Sequence, residues 1–243
     1  MLAAIAIVVG FFIGAVGVGG ILLVPVLALL GGLDIHRATA TALFSFIFTG
    51  VLGTWLFQKR GSIDWKMTAP VCAGAVVFSY LGALVNSKVD AHALALIIAA
   101  LIIFAGTYVL LPKRMGAQQL DGKSAAQQLL LLGVGAASGF GSGLSGAGGP
   151  LFSVPIMLVL GFAPLPAIGA SQMLQIISAA SGTVGNLQYG SVDFQTATWI
   201  TVFELVGVVA GTRAAHAVSV TVLRRMAAGL CVVVGLLMLV RSL

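Results

Sequence analysis

Two short glycine clusters carry the strongest chemical signal in this 243-residue sequence: Gly17-Val18-Gly19-Gly20 and Gly146-Ala147-Gly148-Gly149-Pro150. Each interrupts a long uncharged run, 2–33 or 125–160, and each precedes a stretch suited to a new helix, 20–31 or 150–160. A helix that starts afresh presents unsatisfied N–H groups and the positive end of its dipole. Two such ends brought together make a site for a small anion without any charged side chain. Glycine lets an oxyanion approach the backbone, and Pro150 suits a first helical turn. The candidate contacts are therefore Gly17, Gly19, Gly20, Gly146, Gly148 and Gly149. A single glycine here could equally serve close helix packing; recurrence as matched clusters favours a site.

Uncharged polar side chains follow each cluster at helical spacing. Thr41, Ser45 and Thr49 recur every four residues, and Ser171, Gln175, Ser178 and Gly182 form a similar stripe flanked by Gln172 and Asn186. Such groups could hydrogen-bond an anion's oxygens, although Ser and Thr often bond their own helix backbone instead. Gln172, Gln175 and Asn186 cost more to bury and are the stronger candidates. Glu204 is the one charged residue deep in an apolar run, at least nine residues from either end of 195–215. Intramembrane carboxyls mark ion and proton routes, so Glu204 is the proton-coupling candidate. Asp64 and Asp193 read as helix N-caps, and Arg213 as a side chain reaching for the interface. Cys72 and Cys231 sit in apolar runs as small core residues, and no Cys/His grouping calls for a metal or cofactor.

The elements that must position these groups follow from the punctuation. Apolar runs, uncharged but for Glu204 and Arg213 in 195–215, fall at 2–33, 38–58, 67–87, 93–111, 125–160, 167–187, 195–215 and 226–240, and the longest polar stretch, 112–124, reads as a linker. Gly costs roughly 1 kcal/mol in a helix interior and Pro about 3. Runs 2–33 and 125–160 should therefore break at their glycine clusters. A shift of 129 residues brings Gly17, Gly19, Gly20 and Gly32 onto Gly146, Gly148, Gly149 and Gly161. It also lays Gly53-Thr54 on Gly182-Thr183, and Gly61-Ser62-x-Asp64 on Gly190-Ser191-x-Asp193. The chain thus reads as two copies, 1–111 and 125–243, joined by 112–124.

Charge orients the copies. If 2–33 and 125–160 each enter and leave by one face, nine of the 12 Lys and Arg residues share one side and only Arg37, Lys88 and Arg241 lie opposite. The positive-inside rule favours that arrangement, with inverted halves. Each hairpin arm is then expected to hold some 13–16 residues, short of the ~30 Å hydrocarbon core.

Composition agrees. The chain is 60% hydrophobic and 7% charged, with a mean hydropathy of +1.15. A soluble domain carries roughly a quarter charged residues, so a soluble enzyme, a disordered chain and a secreted disulfide scaffold are excluded. The expected fold is an all-α polytopic membrane protein of two pseudo-symmetric, inverted repeats. Each repeat combines a broken glycine-rich re-entrant helix pair with three transmembrane helices. The net charge of +6 sits between apolar runs, as topology and headgroup signals do, and points to lipid rather than nucleic acid. The apolar first 16 residues lack Lys and Arg and read as mature chain, not a leader.

At GVGGILLVP (17–25) and GAGGPLFSVP (146–155) the chain resembles the sulfite exporter TauE/SafE family. The similarity continues through HRATATALFSFIFTGVLGTW and LPAIGASQMLQIISAASGTVGNLQYGSVD. The resemblance implies a multi-pass carrier of the bacterial inner membrane for sulfite, sulfonates and other small organosulfur anions. By position, the family's glycine motifs fall on Gly17, Gly19, Gly20 and Pro25, and on Gly146, Gly148, Gly149 and Pro155. Where a common family pattern has a third consecutive glycine, Ile21 and Pro150 stand here. Expected partners are a small anion, the bilayer and, in a homodimer, a second copy of the chain. A passive anion channel is the nearest rival. The rival of another class is an intramembrane serine protease, because Gly143-Leu144-Ser145-Gly146 reads GxSG with His216 downstream. The repeat counterpart of that motif, Gly14-Ala15-Val16-Gly17, has no serine.

Overall fold

The structure is a computed structural model describing residues 2–17, 19–110, 120–189 and 192–242. Its elements are helices α1 (Leu2–Val16), α2 (Leu23–Leu29, entered through a 3-10 turn Gly19–Leu22), α3 (Ile35–Lys59), α4 (Trp65–Lys88) and α5 (Ala91–Leu110). Then follow α6 (Ala125–Ser145), α7 (Pro150–Leu160), α8 (Pro164–Tyr189), α9 (Phe194–Ala217) and α10 (Val220–Ser242). Leu120 and Phe162 form one isolated bridge. Most of the polar stretch 112–124, and Gly190-Ser191 of the repeated GSxD, lie outside the described residues.

Local chemistry sets the boundaries. Asp64 accepts from the Lys66 N–H at 2.9 Å and Asp193 from the Thr196 N–H at 2.9 Å, capping α4 and α9 as expected. The two broken runs stop by one device. Gly17 (φ 76°) ends α1 with its N–H on the Phe12 and Ile13 carbonyls, and Gly146 (φ 67°) ends α6 with its N–H on Ser142. Left-handed backbone at a helix C-terminus satisfies orphan carbonyls and suits glycine. Pro150 occupies the first turn of α7.

Two expectations need correction. The helix after the first cluster does not run 20–31. With no proline to open it and two glycines in its first turn, it begins as a 3-10 turn and is α-helical only over Leu23–Leu29. The hairpin arms are also unequal. Arm α1 has 15 residues, but α6 has 21, because nothing breaks run 125–160 before Gly146. Helix α6 is therefore long and apolar enough to cross a membrane, as are α3, α4 and α9.

Packing is reciprocal between the halves. Helix α1 lies on α9 and α6 on α4, while α3 meets α8 and α5 meets α10. Small residues let these backbones touch, which is how membrane helices gain contact without a hydrophobic driving force. Gly10 abuts the Glu204 backbone, and Gly139 abuts Ala75. Gly14 abuts Val208 and Thr212, and Gly143 abuts Ser79 and Ala83. Gly211 abuts Phe11 and Ala15, and Gly82 abuts Phe140 and Leu144. Every pair maps on its companion with the same offset of 129. Helices α3 and α8 run antiparallel: the Asp193 N–H reaches Thr41 near the start of α3, whereas Ser62, past its end, lies against Gly169 near the start of α8. Outside, large apolar side chains such as Trp55, Trp65, Phe104 and Leu129 are exposed. Lys123–Asp121 is the one ion pair among the described residues. That is a surface made for lipid.

Candidate functional site

The tips of the two broken segments meet inside the protein. A β-carbon at Gly20 would touch the Ala147 carbonyl oxygen, and one at Gly17 would lie 2.9 Å from Cβ of Pro150. Against the junction stand the midpoints of α3 and α8, for Phe46 and Gln175 are each the twelfth residue of their helix. The Gln175 amide nitrogen donates to the Phe46 carbonyl (3.2 Å) and to Thr49 Oγ1 (2.8 Å). Its Oε1 is 3.8 Å from where a β-carbon on Gly148 would sit, and Gly149 faces Leu174 and Ser178. Gly20, Gly148, Gly149, Thr49 and Gln175 thus converge on one buried spot. Gly19 instead packs against Val9 and Ile13 within its own hairpin.

The remaining candidates form a looser shell. Ser171 stands beside Gly17, and its hydroxyl donates to Ile168 at 2.7 Å. The Gln172 amide nitrogen donates at 2.9 Å to the Ile13 carbonyl, near the end of α1. Its Oε1 has no hydrogen-bond partner and fills the space a side chain at Gly53 would take. Ser45 donates to Ala42 at 2.8 Å. Its hydroxyl is also the polar neighbour of the Glu204 carboxyl, which is fully buried with neither oxygen hydrogen-bonded. Thr41 lies apart, occupied with the Asp193 N–H at 3.1 Å. Asn186, buried with an unpartnered amide nitrogen, sits eleven residues beyond Gln175. Gly146 is a cap packed on Thr39 rather than part of the central group.

Hydrolytic chemistry finds no assembly here. Ser145 donates to Gly141 at 2.6 Å and accepts from the Ala147 N–H at 3.3 Å. His216 is engaged elsewhere, with Ser62 (3.0 Å) and the Thr212 carbonyl (2.8 Å). A nucleophile needs its base within hydrogen-bond reach. Among the described residues no three His, Cys, Asp or Glu side chains gather as a metal site would require.

Sequence reasoning passed over Phe46, which is fully buried with its ring against both tips. Its only sequence-level signal is its offset of 129 from Gln175. It also passed over the clasp in which His36 Nδ1 meets Asn86 Oδ1 (3.2 Å) and the Asn86 amide donates to the Leu144 carbonyl (2.6 Å).

Comparison with known proteins agrees with this architecture. The chain is 27% identical over 212 residues to the probable membrane transporter protein YdhB of Bacillus subtilis, covering 84% of this chain and 85% of that one. It is 26% identical over 216 residues to the probable membrane transporter protein MJ0441 of Methanocaldococcus jannaschii, covering 79% of each. The probable membrane transporter protein YfcA of Escherichia coli is 26% identical over 210 residues, covering 86% and 77%. No solved structure matches the chain significantly. The family described as sulfite exporter TauE/SafE matches residues 2–238. A multi-pass helical membrane protein with such relatives is a transporter rather than an enzyme, and the chain belongs to the sulfite exporter TauE/SafE family.

Proposed function

We propose that this transporter carries a small oxyanion of sulfur, sulfite or a sulfonate, and binds it where the two broken segments meet. The observation that carries the reading is the convergence of Gly20, Gly148 and Gly149 on Thr49 and Gln175 at the middle of α3 and α8. The tip formed by Gly148 and Gly149 lies at the N-terminal, positive end of the α7 dipole, and such an end suits an anion in a site with no lysine or arginine. Broken helices in matching halves are where secondary transporters place substrate. The choice of sulfur rests on family membership.

The paired glycine contacts at an offset of 129, and the antiparallel α3 and α8, support two inverted copies, 1–111 and 125–243. Two copies related this way can exchange conformations and so alternate access to a fixed central site. Glu204 would couple the cycle to protons. Its counterpart is Ala75, so it breaks the symmetry of the scaffold, and its neighbour Ser45 adjoins Phe46 on α3. A passive channel would use the same site without that carboxyl.

The test is thermal unfolding of the purified protein against a panel of small anions. Sulfite or a short sulfonate should raise the melting temperature at lower concentration than chloride or acetate, since a ligand bound only by the folded state stabilises it by mass action. Equal effects of all these anions would remove the proposed substrate class.

A further inference from the structure

The Phe46 side chain stands where the two tips converge. Its ring atoms Cζ and Cε2 lie 3.1 and 3.2 Å from the position a β-carbon on Gly20 would take. Its Cδ2 lies 3.4 Å from the corresponding position on Gly148. Glycine on both sides is what gives the ring room. The carbonyl of the same residue accepts from Gln175, and Gln175 spends its second donor on Thr49. The amide therefore shows the tips its oxygen, an acceptor, and can donate to an anion only by exchanging its bonds to Phe46 and Thr49. The grooves beside the hairpins are apolar: one of about 470 Å³ between α1, α2 and α10, another of about 290 Å³ between α5 and α7. Neither is lined by Phe46 or Gln175. Seen along the offset of 129, one copy contributes an aromatic at the centre and the other an amide.

We propose that the Phe46 ring is the plug of the anion site, seated between Gly20 and Gly148 and displaced when the anion binds. The inference deepens the proposed function and rests on it. Substrate and ring compete for one volume. Every binding event therefore bears the free energy of moving the ring, and the apparent affinity falls by the fraction of molecules in which it has moved. The volume vacated sets the largest anion admitted, which makes Phe46 a specificity-determining residue as well as a gate. A purely structural phenylalanine would influence stability alone.

Phe46→Leu and Phe46→Ala are compared with the parent protein in two assays. In thermal unfolding, sulfite should protect Phe46→Leu at about tenfold lower concentration than the parent, because the shorter side chain is more often out of the way. In proteoliposomes, Phe46→Ala should admit benzenesulfonate, which the parent excludes, and should pass sulfite faster than the parent when no gradient is imposed. Should Phe46→Ala not fold, Phe46→Leu in the binding assay decides alone. Unchanged sulfite protection together with unchanged size selectivity in a parent protein that does transport sulfite would overturn the plug while leaving the proposed function standing. A parent protein that neither binds nor carries any small sulfur oxyanion would overturn both.

Discussion

At the scale of single residues, the account rests on uncharged groups in apolar surroundings. Gln175 ties α8 to α3 through Phe46 and Thr49. Replacing it with leucine removes two hydrogen bonds, each worth about 1 kcal/mol. The Gln175→Leu variant should remain folded but carry anion at least about tenfold more slowly, since a polar contact made during transport is worth more than a decade in rate. Uptake at saturating substrate, measured beside a melting curve, checks this, and full uptake would remove Gln175 from the site. Glu204 supports a different expectation. Glu204→Gln keeps shape and polarity but holds no transferable proton, so uptake should continue while losing its response to an imposed pH gradient. A gradient response equal to the parent's would end the coupling role. Sequence alone made both residues visible, because a carboxyl or amide inside an apolar run is costly to bury and calls for a reason. It could not show Phe46. A phenylalanine amid leucines looks like any core residue until its neighbours are seen to be glycines from two distant segments.

At the scale of elements, the backbone breaks were legible and their lengths were not. Gly17 and Gly146 end their helices where the composition said they would, because left-handed capping depends on residue type. The first downstream helix came out shorter than expected, since helix nucleation depends on the first turn and Gly19-Gly20 opens it poorly. The seams also follow from tertiary approach. Gly10 and Gly139 leave no room for a side chain against Glu204 and Ala75. Gly10→Val and Gly139→Val should each force α1 off α9 or α6 off α4. The expected loss is roughly 2–3 kcal/mol of stability apiece, the usual cost of overpacking. Chemical or thermal unfolding of the two variants measures it. Loss at one position with none at the other would show the seams are not equivalent.

At the scale of the whole molecule, the orientation of the halves is the proposal with the widest reach. Lys66 and Gln195 are exposed first-turn residues of α4 and α9, separated by the offset of 129. In a background lacking Cys72 and Cys231, Lys66→Cys and Gln195→Cys should react with a membrane-impermeant thiol reagent from opposite sides. Labelling from one side would favour two copies in the same orientation. The sequence suggests this orientation because clustered lysine and arginine act as a topology signal. It could not carry the meeting of the tips, which depends on how α3 and α8 cross.

The central claim is that the junction of the two broken segments binds and carries a small sulfur oxyanion. Uptake of radiolabelled sulfite into proteoliposomes, with and without an inward proton gradient, tests it most directly. The account predicts saturable uptake that the gradient accelerates and that Gln175→Leu abolishes or slows sharply. Sulfite flux no greater than in protein-free liposomes, or flux indifferent to Gln175, would contradict it.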